Sequence, residues 1–203
     1  KTFEIKGWGL FNILGWNNVV EFFLVVVCLD FAIYLQHVIV HKVPLFWSFH
    51  VVHHSDLDLD VSSGLRFHPV EILASMLYKI GIIFLLGPAP IAVLTFEAVL
   101  NGMALFSHSN IALPAKVDHF FRKLIVTPDM HRIHHSVEVS ETNSNYGFNL
   151  SIWDRILGTY KEEALKAQPE IVIGIDTLRS PNELTFYNLL MMPKKYGKLT
   201  YVT

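Results

Sequence analysis

The fold is decided by the stretch VVEFFLVVVCLDFAIYLQHVIVH, residues 19–41. Its first part, residues 19–35, is apolar except for Glu21 and Asp30. About 17 to 25 such residues cross the hydrocarbon core of a bilayer as a helix. The run leads directly into His37 and His41, which stand four residues apart and therefore share one helix face. The stretch predicts a membrane-spanning helix that carries two imidazoles at one end.

Two further apolar runs follow, at residues 70–87 and 89–106. The sequence Gly87-Pro88-Ala89-Pro90 between them cannot continue a helix, so the two runs are expected to form a hairpin. Hydrophobic residues make up 52% of the chain and charged residues only 17%, which is typical of membrane proteins. We therefore expect an all-α integral membrane protein, a transmembrane helical bundle in which residues 107–203 form a cap.

The chain is expected to be one domain over residues 1–203. No repeat or linker divides it, although it opens at Lys1 and its N-terminus is therefore expected to be truncated. In the more polar second half, residues 168–176 are interpreted as a strand and residues 182–192 as an apolar helix at the membrane surface. The net charge is −2 and no basic run is present, so we expect no nucleic-acid partner.

The histidines carry the chemistry. One triplet, H-x-x-H-H, occurs twice, and at helical spacing its three imidazoles should share one face as a single cluster. With the first pair, this gives eight imidazoles: His37, His41, His50, His53, His54, His131, His134 and His135. Each neutral imidazole offers one lone pair to a metal, and eight exceed what a closed four-ligand zinc site uses. Two metal ions are the simplest interpretation.

Crossing the membrane three times puts every histidine motif on the same side. All but three of the 16 Lys and Arg residues lie on that side too. By the positive-inside tendency, the histidine-rich cap should be cytoplasmic.

The spans also carry polar residues that should face the interior of the bundle. Asp30 and Tyr34 lead to His37 on the first span, and Glu97 leads to His108 on the third. For Asp30 two interpretations stay open: it accepts a hydrogen bond from a ligand imidazole, or it joins two helices. Glu97 is interpreted as structural, and His119, in a polar stretch, as a surface residue.

Iron, unlike zinc, can activate dioxygen for attack on a C–H bond. Soluble di-iron proteins use Glu-x-x-His repeats in a four-helix bundle, and this chain has none. The ligands would therefore be almost all histidine. The alternative function is a non-catalytic membrane metal-binding protein or a transporter, although a transporter would need polar residues through the full depth of several spans.

The chain resembles the fatty acid hydroxylase / sterol desaturase superfamily. The motifs that carry the resemblance cover residues 30–160 in the family's order: Asp30-Phe-x-x-Tyr34-x-x-His37-x-x-x-His41, His50-x-x-His53-His54-Ser55, Leu65-Arg66-Phe-His68-Pro69, His108-Ser-Asn110, Thr127-Pro-Asp-Met-His131-x-x-His134-His135-Ser136, Asn145-Tyr-Gly147 and Trp153-Asp-Arg-Ile-Leu-Gly-Thr159-Tyr160.

The resemblance implies that the eight clustered histidines bind metal and that His108 is a ninth ligand. Some relatives carry another histidine where this chain has Ala104, so one metal would have fewer ligands. We expect Asp30, Tyr34 and Asn145 to lie behind the ligands and support them, and a supporting or substrate-gating role for His68 stays open. No catalytic side chain is expected beyond these.

The resemblance further implies two iron ions, with O2 as co-substrate and a lipid as substrate; zinc can replace iron during expression. The reaction would be hydroxylation or desaturation of a lipid C–H bond. Because no flavin, nicotinamide or haem motif is present, the electrons would come from a partner, a ferredoxin or cytochrome b5 with its reductase.

Overall fold

The computed structural model describes residues 7–196. This part of the chain is helical and contains isolated β-bridges but no β-strand. Its α-helices are α1 (Leu10–Leu14), α2 (Asn18–Lys42), α3 (Pro44–His54), α4 (Pro69–Leu86), α5 (Pro90–Ser107), α6 (Ala115–Phe121), α7 (Pro128–His134), α8 (Val139–Thr142), α9 (Ile152–Leu157) and α10 (Phe186–Tyr196). The expected all-α architecture is therefore confirmed.

Helix α2 is the longest element, with 25 residues. The side chain of Asn17 caps its N-terminus by accepting a hydrogen bond from the Val19 backbone N–H. The helix continues past residue 35, the end of the apolar run, so that His37 and His41 occupy its last turns. Pro44 then opens α3, which folds back against α2. This corner brings the first histidine triplet beside the first pair.

Helices α4 and α5 form the predicted hairpin. His68 caps α4 by accepting from the Val70 N–H, and Gly87 ends it in the left-handed conformation with φ 64°. Helices α2, α4 and α5 are long and apolar enough to cross a membrane, with mean hydropathies of 2.2, 1.8 and 1.5. Most side chains of α4 are exposed although the helix is apolar, as expected for a surface that faces lipid.

The remaining helices build the cap over the histidine end of the spans. Its core contains Met192 of α10, which packs with Trp47 and Val51 of α3 and with Ile175 and Leu178. Helix α10 agrees in part with the helix expected over residues 182–192, which begins here as a 3-10 turn at Pro181–Leu184.

The strand expected at residues 168–176 is wrong. The segment begins with a 3-10 turn, Gln168–Glu170, and then forms a single bridge between Ile173 and Ser136. Pro169 has no N–H to donate, and Gly174 turns the chain at φ 110°. An apolar run without a neighbouring strand therefore packs as an extended loop.

Candidate metal centre

Nine histidines converge in two buried groups between the spans and the cap. The first group contains His37, His41, His50, His54 and His134, and the second contains His53, His108, His131 and His135. Within each group the candidate ligand nitrogens all lie within 4.8 Å of one another. All nine side chains are buried. They are the nine residues singled out in the sequence, and the chain's other two histidines, His68 and His119, lie elsewhere.

Each triplet is divided between the two groups, contrary to the expectation of one cluster per triplet. His50 and His54 enter the first group, whereas His53 enters the second. In the other triplet, His131 and His135 enter the second group and His134 the first. Successive helical residues are turned by about 100°, so i and i+4 point almost together while the residue between them points aside. A triplet of this spacing therefore joins two adjacent sites.

Hydrogen bonds set the orientation of the imidazoles in the first group. His37 Nδ1 lies 2.7 Å from the carbonyl oxygen of Tyr146, and His134 Nδ1 lies 2.7 Å from that of Ser144. A carbonyl oxygen only accepts, so each Nδ1 carries the proton and donates it. In the neutral ring the other nitrogen, Nε2, is then a bare lone pair.

Those bare nitrogens face each other. His37 Nε2 and His134 Nε2 are 3.1 Å apart, and with both protons on Nδ1 no hydrogen bond can join them. Two nitrogens bound at about 2.1 Å to one metal ion lie about 3.0 Å apart when the angle between them is a right angle. The spacing therefore fits two ligands of one metal ion.

The second group repeats this arrangement. His108 Nδ1 donates to the carbonyl oxygen of Ala104 at 2.7 Å. Its Nε2 lies 3.1 Å from His53 Nε2 and 3.0 Å from His131 Nε2. Ala104 thus supplies a backbone acceptor, and this group has four imidazoles where the first has five.

Other ring nitrogens have no hydrogen-bond partner within residues 7–196. His41 and His54 lack a partner at both nitrogens, and His50 lacks one at Nε2. An unsatisfied buried polar group costs about 1 to 3 kcal/mol. Several such atoms in one buried cluster of imidazoles fit a site whose remaining partners are metal ions.

Burial keeps six of the clustered imidazoles outside the spans neutral. Desolvation lowers the pKa of His108 to about 4 and that of His134 to about 3. The pKa values of His53, His54, His131 and His135 are also lowered, first by burial and then by the neighbouring imidazoles. Near neutral pH, each of these rings therefore keeps a lone pair for a metal.

Glu71 is a functional residue that the sequence analysis missed. Its Oε1 accepts from His50 Nδ1 at 2.5 Å, and the carboxylate is buried. A carboxylate behind a ligand imidazole fixes its tautomer and raises its basicity. The signal in the sequence is an acidic residue in the first turn of an otherwise apolar span, which indicates a partner but does not identify it.

A loop holds the two carbonyl oxygens that face the first group. Asn145, at φ 52°, donates from Nδ2 to the carbonyl of Lys161 at 2.9 Å and accepts from its N–H at 2.8 Å. Buried Asp154 accepts from the N–H groups of Tyr146 and Gly147, both at 2.8 Å. Asn145 therefore shapes the loop and has no hydrogen bond to an imidazole.

Tyr34 supports the same loop from α2. Its hydroxyl lies 2.8 Å from Thr159 Oγ1, which donates to Asp154 Oδ1 at 2.6 Å. The expected position of Tyr34 behind the ligands is thus an indirect one, through Thr159 and Asp154.

Asp30 does not accept from a ligand imidazole. Its Oδ2 accepts from the indole N–H of Trp153 in α9 at 2.7 Å, and Trp153 also packs on Phe31. Asp30 lies seven residues before His37, about 10 Å away along the helix, so it cannot reach the centre. Of the two interpretations, the helix-packing hydrogen bond is the one that the structure shows.

The last two histidines are outside the centre. His68 caps α4 and lies with Nε2 3.2 Å from the Leu190 carbonyl of α10. Because its Nδ1 accepts, Nε2 is the donor, and His68 joins the spans to the cap. His119 has a side chain that is 61% exposed and lies 3.5 Å from Glu162, as expected for a surface residue.

A cavity of about 220 Å³ opens beside the first group, with His37 and His50 in its wall. Apolar side chains of α2, α4 and α5, among them Ile33 and Leu100, line it together with Phe67 and Phe148, and the polar residues of the wall include Gln36, Ser75 and Lys79. The cavity is thus a mostly apolar space that ends at the imidazoles, which suits the chain of a lipid.

A model of one protein family, described as fatty acid hydroxylase, matches residues 22–159. The chain belongs to the fatty acid hydroxylase family. The matched region contains all nine clustered histidines together with Glu71, Asn145 and Asp154. The family resemblance noted in the sequence is therefore confirmed.

The curated relatives include proteins named as hydroxylases and as a monooxygenase. The chain is 35% identical over 164 residues to ornithine lipid hydroxylase OlsE of Rhizobium tropici, covering 78% of this chain and 47% of the relative. It is 28% identical to human alkylglycerol monooxygenase, over 91% of this chain and 40% of the relative. It is 26% identical to human cholesterol 25-hydroxylase, over 68% and 50%. The chain thus spans half or less of the length of these relatives, and no solved structure matches it.

Proposed function

We propose that this protein is an O2-dependent di-iron oxidoreductase that hydroxylates a C–H bond of a membrane lipid. One observation carries the proposal: two groups of buried imidazoles stand side by side at the end of a mostly apolar cavity. Hydroxylation is favoured over desaturation because the curated relatives named above are hydroxylases and a monooxygenase.

The first group would hold one iron ion through five imidazoles and the second group another through four. Two iron ions bound there supply the redox chemistry that activates dioxygen. The protein contributes the rest. His37, His134 and His108 are oriented by backbone carbonyls, and His50 is oriented by Glu71. Every imidazole is buried, which would limit the access of bulk water to the centre.

The cavity would position the substrate. Lipid chains enter from the bilayer, and residues of α4 and α5 on the cavity edge, such as Met76 and Asn101, are exposed on the hairpin surface. The reacting carbon would then lie against the wall that contains His37 and His50. The electrons would come from an external donor of the ferredoxin or cytochrome b5 type, reaching the centre from the cap side.

The test is lipid analysis of cells that express the wild-type chain or its variants under 18O2. We expect a lipid that gains one 18O atom in wild-type cells and is absent when His53, His134 or His135 is replaced by Ala. His119→Ala, on the exposed surface, should behave as wild type. Unchanged product in the His134→Ala or His135→Ala variants would disprove the di-iron proposal.

A further inference from the structure

An ion pair lies within the membrane-spanning hairpin. Lys79 Nζ donates to both carboxylate oxygens of Glu97, at 2.7 and 2.9 Å, and so joins α4 to α5. Both residues stand near the middle of their 18-residue helices. Charges at this depth are costly to place and are therefore rare unless they face a cavity or another protein group. The pair calls for an explanation beyond helix packing.

Lys79 faces the cavity of the metal centre. Glu71, Ser75 and Lys79 recur every four residues on one face of α4, and all three line that cavity. Eight residues of helix at 1.5 Å each separate Glu71 from Lys79, which gives about 12 Å. Since Glu71 contacts His50, the cavity has the histidine centre at one end and Lys79 at the other.

Helix α5 contributes to the same end. Asn101 lines the cavity, and its Nδ2 donates to the backbone carbonyl of Glu97 at 2.7 Å. The Glu97 side chain does not line the cavity; it is 34% exposed and is bound to Lys79, which does line it. Ala104, one turn further, lines the part nearer His108. Between the two ends the wall contains the apolar residues Ile33, Ile72 and Met76 together with Gln36 and Ser75. Ser75 Oγ donates to Gln36 Oε1 at 3.3 Å, so these two polar side chains are hydrogen-bonded to each other. A ligand that fills it would be apolar with a polar group at the far end.

The pair also defines what kind of polar group fits. It is neutral overall, so an anion would be repelled by Glu97 and a cation by Lys79. A hydroxyl can accept from the ammonium group and donate to the carboxylate at the same time. Hydrogen bonds to charged groups are the stronger ones, and the absence of bulk water at this depth strengthens them further.

We propose that the Lys79–Glu97 pair binds a hydroxyl group of the lipid substrate, about 12 Å along α4 from Glu71, and so selects which carbon reaches the histidine centre. The proposal rests on the proposed function, because it assigns the substrate of the same cavity. In a substrate whose hydroxyl binds here, the carbon that reaches the histidine centre would lie at a fixed distance from that hydroxyl.

The test compares lipids that differ only at the hydroxyl. The probes are cholesterol and 1-O-hexadecylglycerol, each beside its methyl ether, and binding to the purified metal-loaded chain is measured in phosphatidylcholine nanodiscs. For the wild type, at least one hydroxyl lipid should bind about 10- to 100-fold more tightly than its ether, as expected for hydrogen bonds to charged groups. In the Lys79→Met/Glu97→Leu variant, which removes both charges, this difference should disappear.

Tyr78→Phe is the matched control. Tyr78 donates to the carbonyl of Ala32 at 3.0 Å, so this variant removes a hydrogen bond between spans at similar depth without touching the pair. It should keep the preference for the hydroxyl. Metal content, measured in every variant, shows whether the centre is intact, and Lys79→Arg/Glu97→Asp should keep the preference if the double apolar variant fails to fold.

Two results would overturn the inference: equal binding of hydroxyl and ether lipids by the wild type, or a preference that survives loss of both charges. Both are separable from failure of the proposed function. If the proposed function fails, no lipid gains 18O in cells, regardless of which lipids the purified chain binds.

Discussion

At the scale of single residues, the centre is defined by which nitrogen of each imidazole carries the proton. His37, His134 and His108 donate from Nδ1 to backbone carbonyls, and only His50 donates to a carboxylate. A backbone carbonyl fixes the ring but carries no full charge. Glu71 is therefore the residue whose charge reaches the first group directly, through the ring of His50.

We predict that Glu71→Gln lowers metal content or activity about 10- to 100-fold, the usual cost of losing a partner behind a metal ligand. The amide keeps the size of the side chain but removes its charge. Elemental analysis of purified protein and product formation in cells measure the effect. Glu163→Gln, on an exposed side chain, is the control. Full activity and metal content in Glu71→Gln would show that the negative charge of Glu71 is not needed and that its side chain serves only as the hydrogen-bond acceptor of His50.

Sequence reasoning identified residues whose spacing is local, and it missed partners that lie far apart along the chain. Histidine spacing is local, so the convergence of nine imidazoles follows from helix geometry and from the three spans. The partners behind them come from far along the chain: Tyr146 lies 109 residues from His37, and Trp153 lies 123 residues from Asp30. No local pattern indicates which of the two buried carboxylates, Asp30 or Glu71, forms a hydrogen bond with an imidazole.

At the scale of elements, a short loop of the cap acts as the rear wall of the first group. Residues 144–147 present the Ser144 and Tyr146 carbonyls to His134 and His37. Asp154, at the start of α9, holds that loop, and Trp153 beside it holds α9 against α2. The loop's position therefore depends on how α9 docks on the first span.

The tightest point of this loop is Gly147, and we predict that Gly147→Ala destabilises the protein by about 1 to 3 kcal/mol and releases metal. A Cβ there would lie 2.8 Å from the Leu150 carbonyl oxygen and 2.9 Å from Asp154 Oδ2. Thermal unfolding in detergent and elemental analysis measure the change. Gly81→Ala, where a Cβ meets nothing within 4 Å, should be neutral or slightly stabilising. Equal melting temperatures for the two variants would contradict this account of the loop.

Elements with a strong local signal were predicted well. The spans and the Gly87-Pro88 turn follow from apolar length and from residues that end helices. The segment at 168–176 failed because an apolar run of that length fits a strand or a packed loop equally, and its tertiary neighbours decide. Here those neighbours are the buried side chains around Trp47 and the backbone around Ser136, which forms a single bridge with Ile173 and no longer strand pairing.

At the scale of the whole molecule, each proposed metal ion would join the membrane spans to the cap. The first group draws its imidazoles from α2, α3 and α7, and the second from α3, from His108 after α5 and from the end of α7. Loss of metal should therefore weaken the attachment of the cap as well as remove the chemistry.

We predict that chelation lowers the melting temperature and that re-addition of ferrous iron or zinc restores it. A metal at 100 times its dissociation constant stabilises the folded state by about 2.7 kcal/mol per site. His108→Ala, which removes one of four imidazoles from the second group, should bind about one metal per chain where the wild type binds two. A metal-free protein that melts at the same temperature as the loaded one would disprove this coupling.

The side of the membrane on which the cap lies is also testable. Because most Lys and Arg residues lie on the histidine side of the spans, we expect that side to be cytoplasmic. A reporter fused after Thr203 should be active only in the cytoplasm. A reporter fused at the α4–α5 turn, next to Pro88, should show the opposite location. Activity of the first fusion outside the cytoplasm would reverse the topology.

The pairing of His37 with His134, 97 residues apart, also sets an order of events during biosynthesis. When His37 leaves the ribosome, its opposite imidazole has not been made, and neither have the loop and the α9 helix that hold both rings in place. The first group can be completed only after α4 and α5 have been synthesised and residues up to Asp154 have emerged. In the proposed di-iron protein, metal loading would thus be a late step of maturation, and a cell that runs short of iron would accumulate inserted chains without metal.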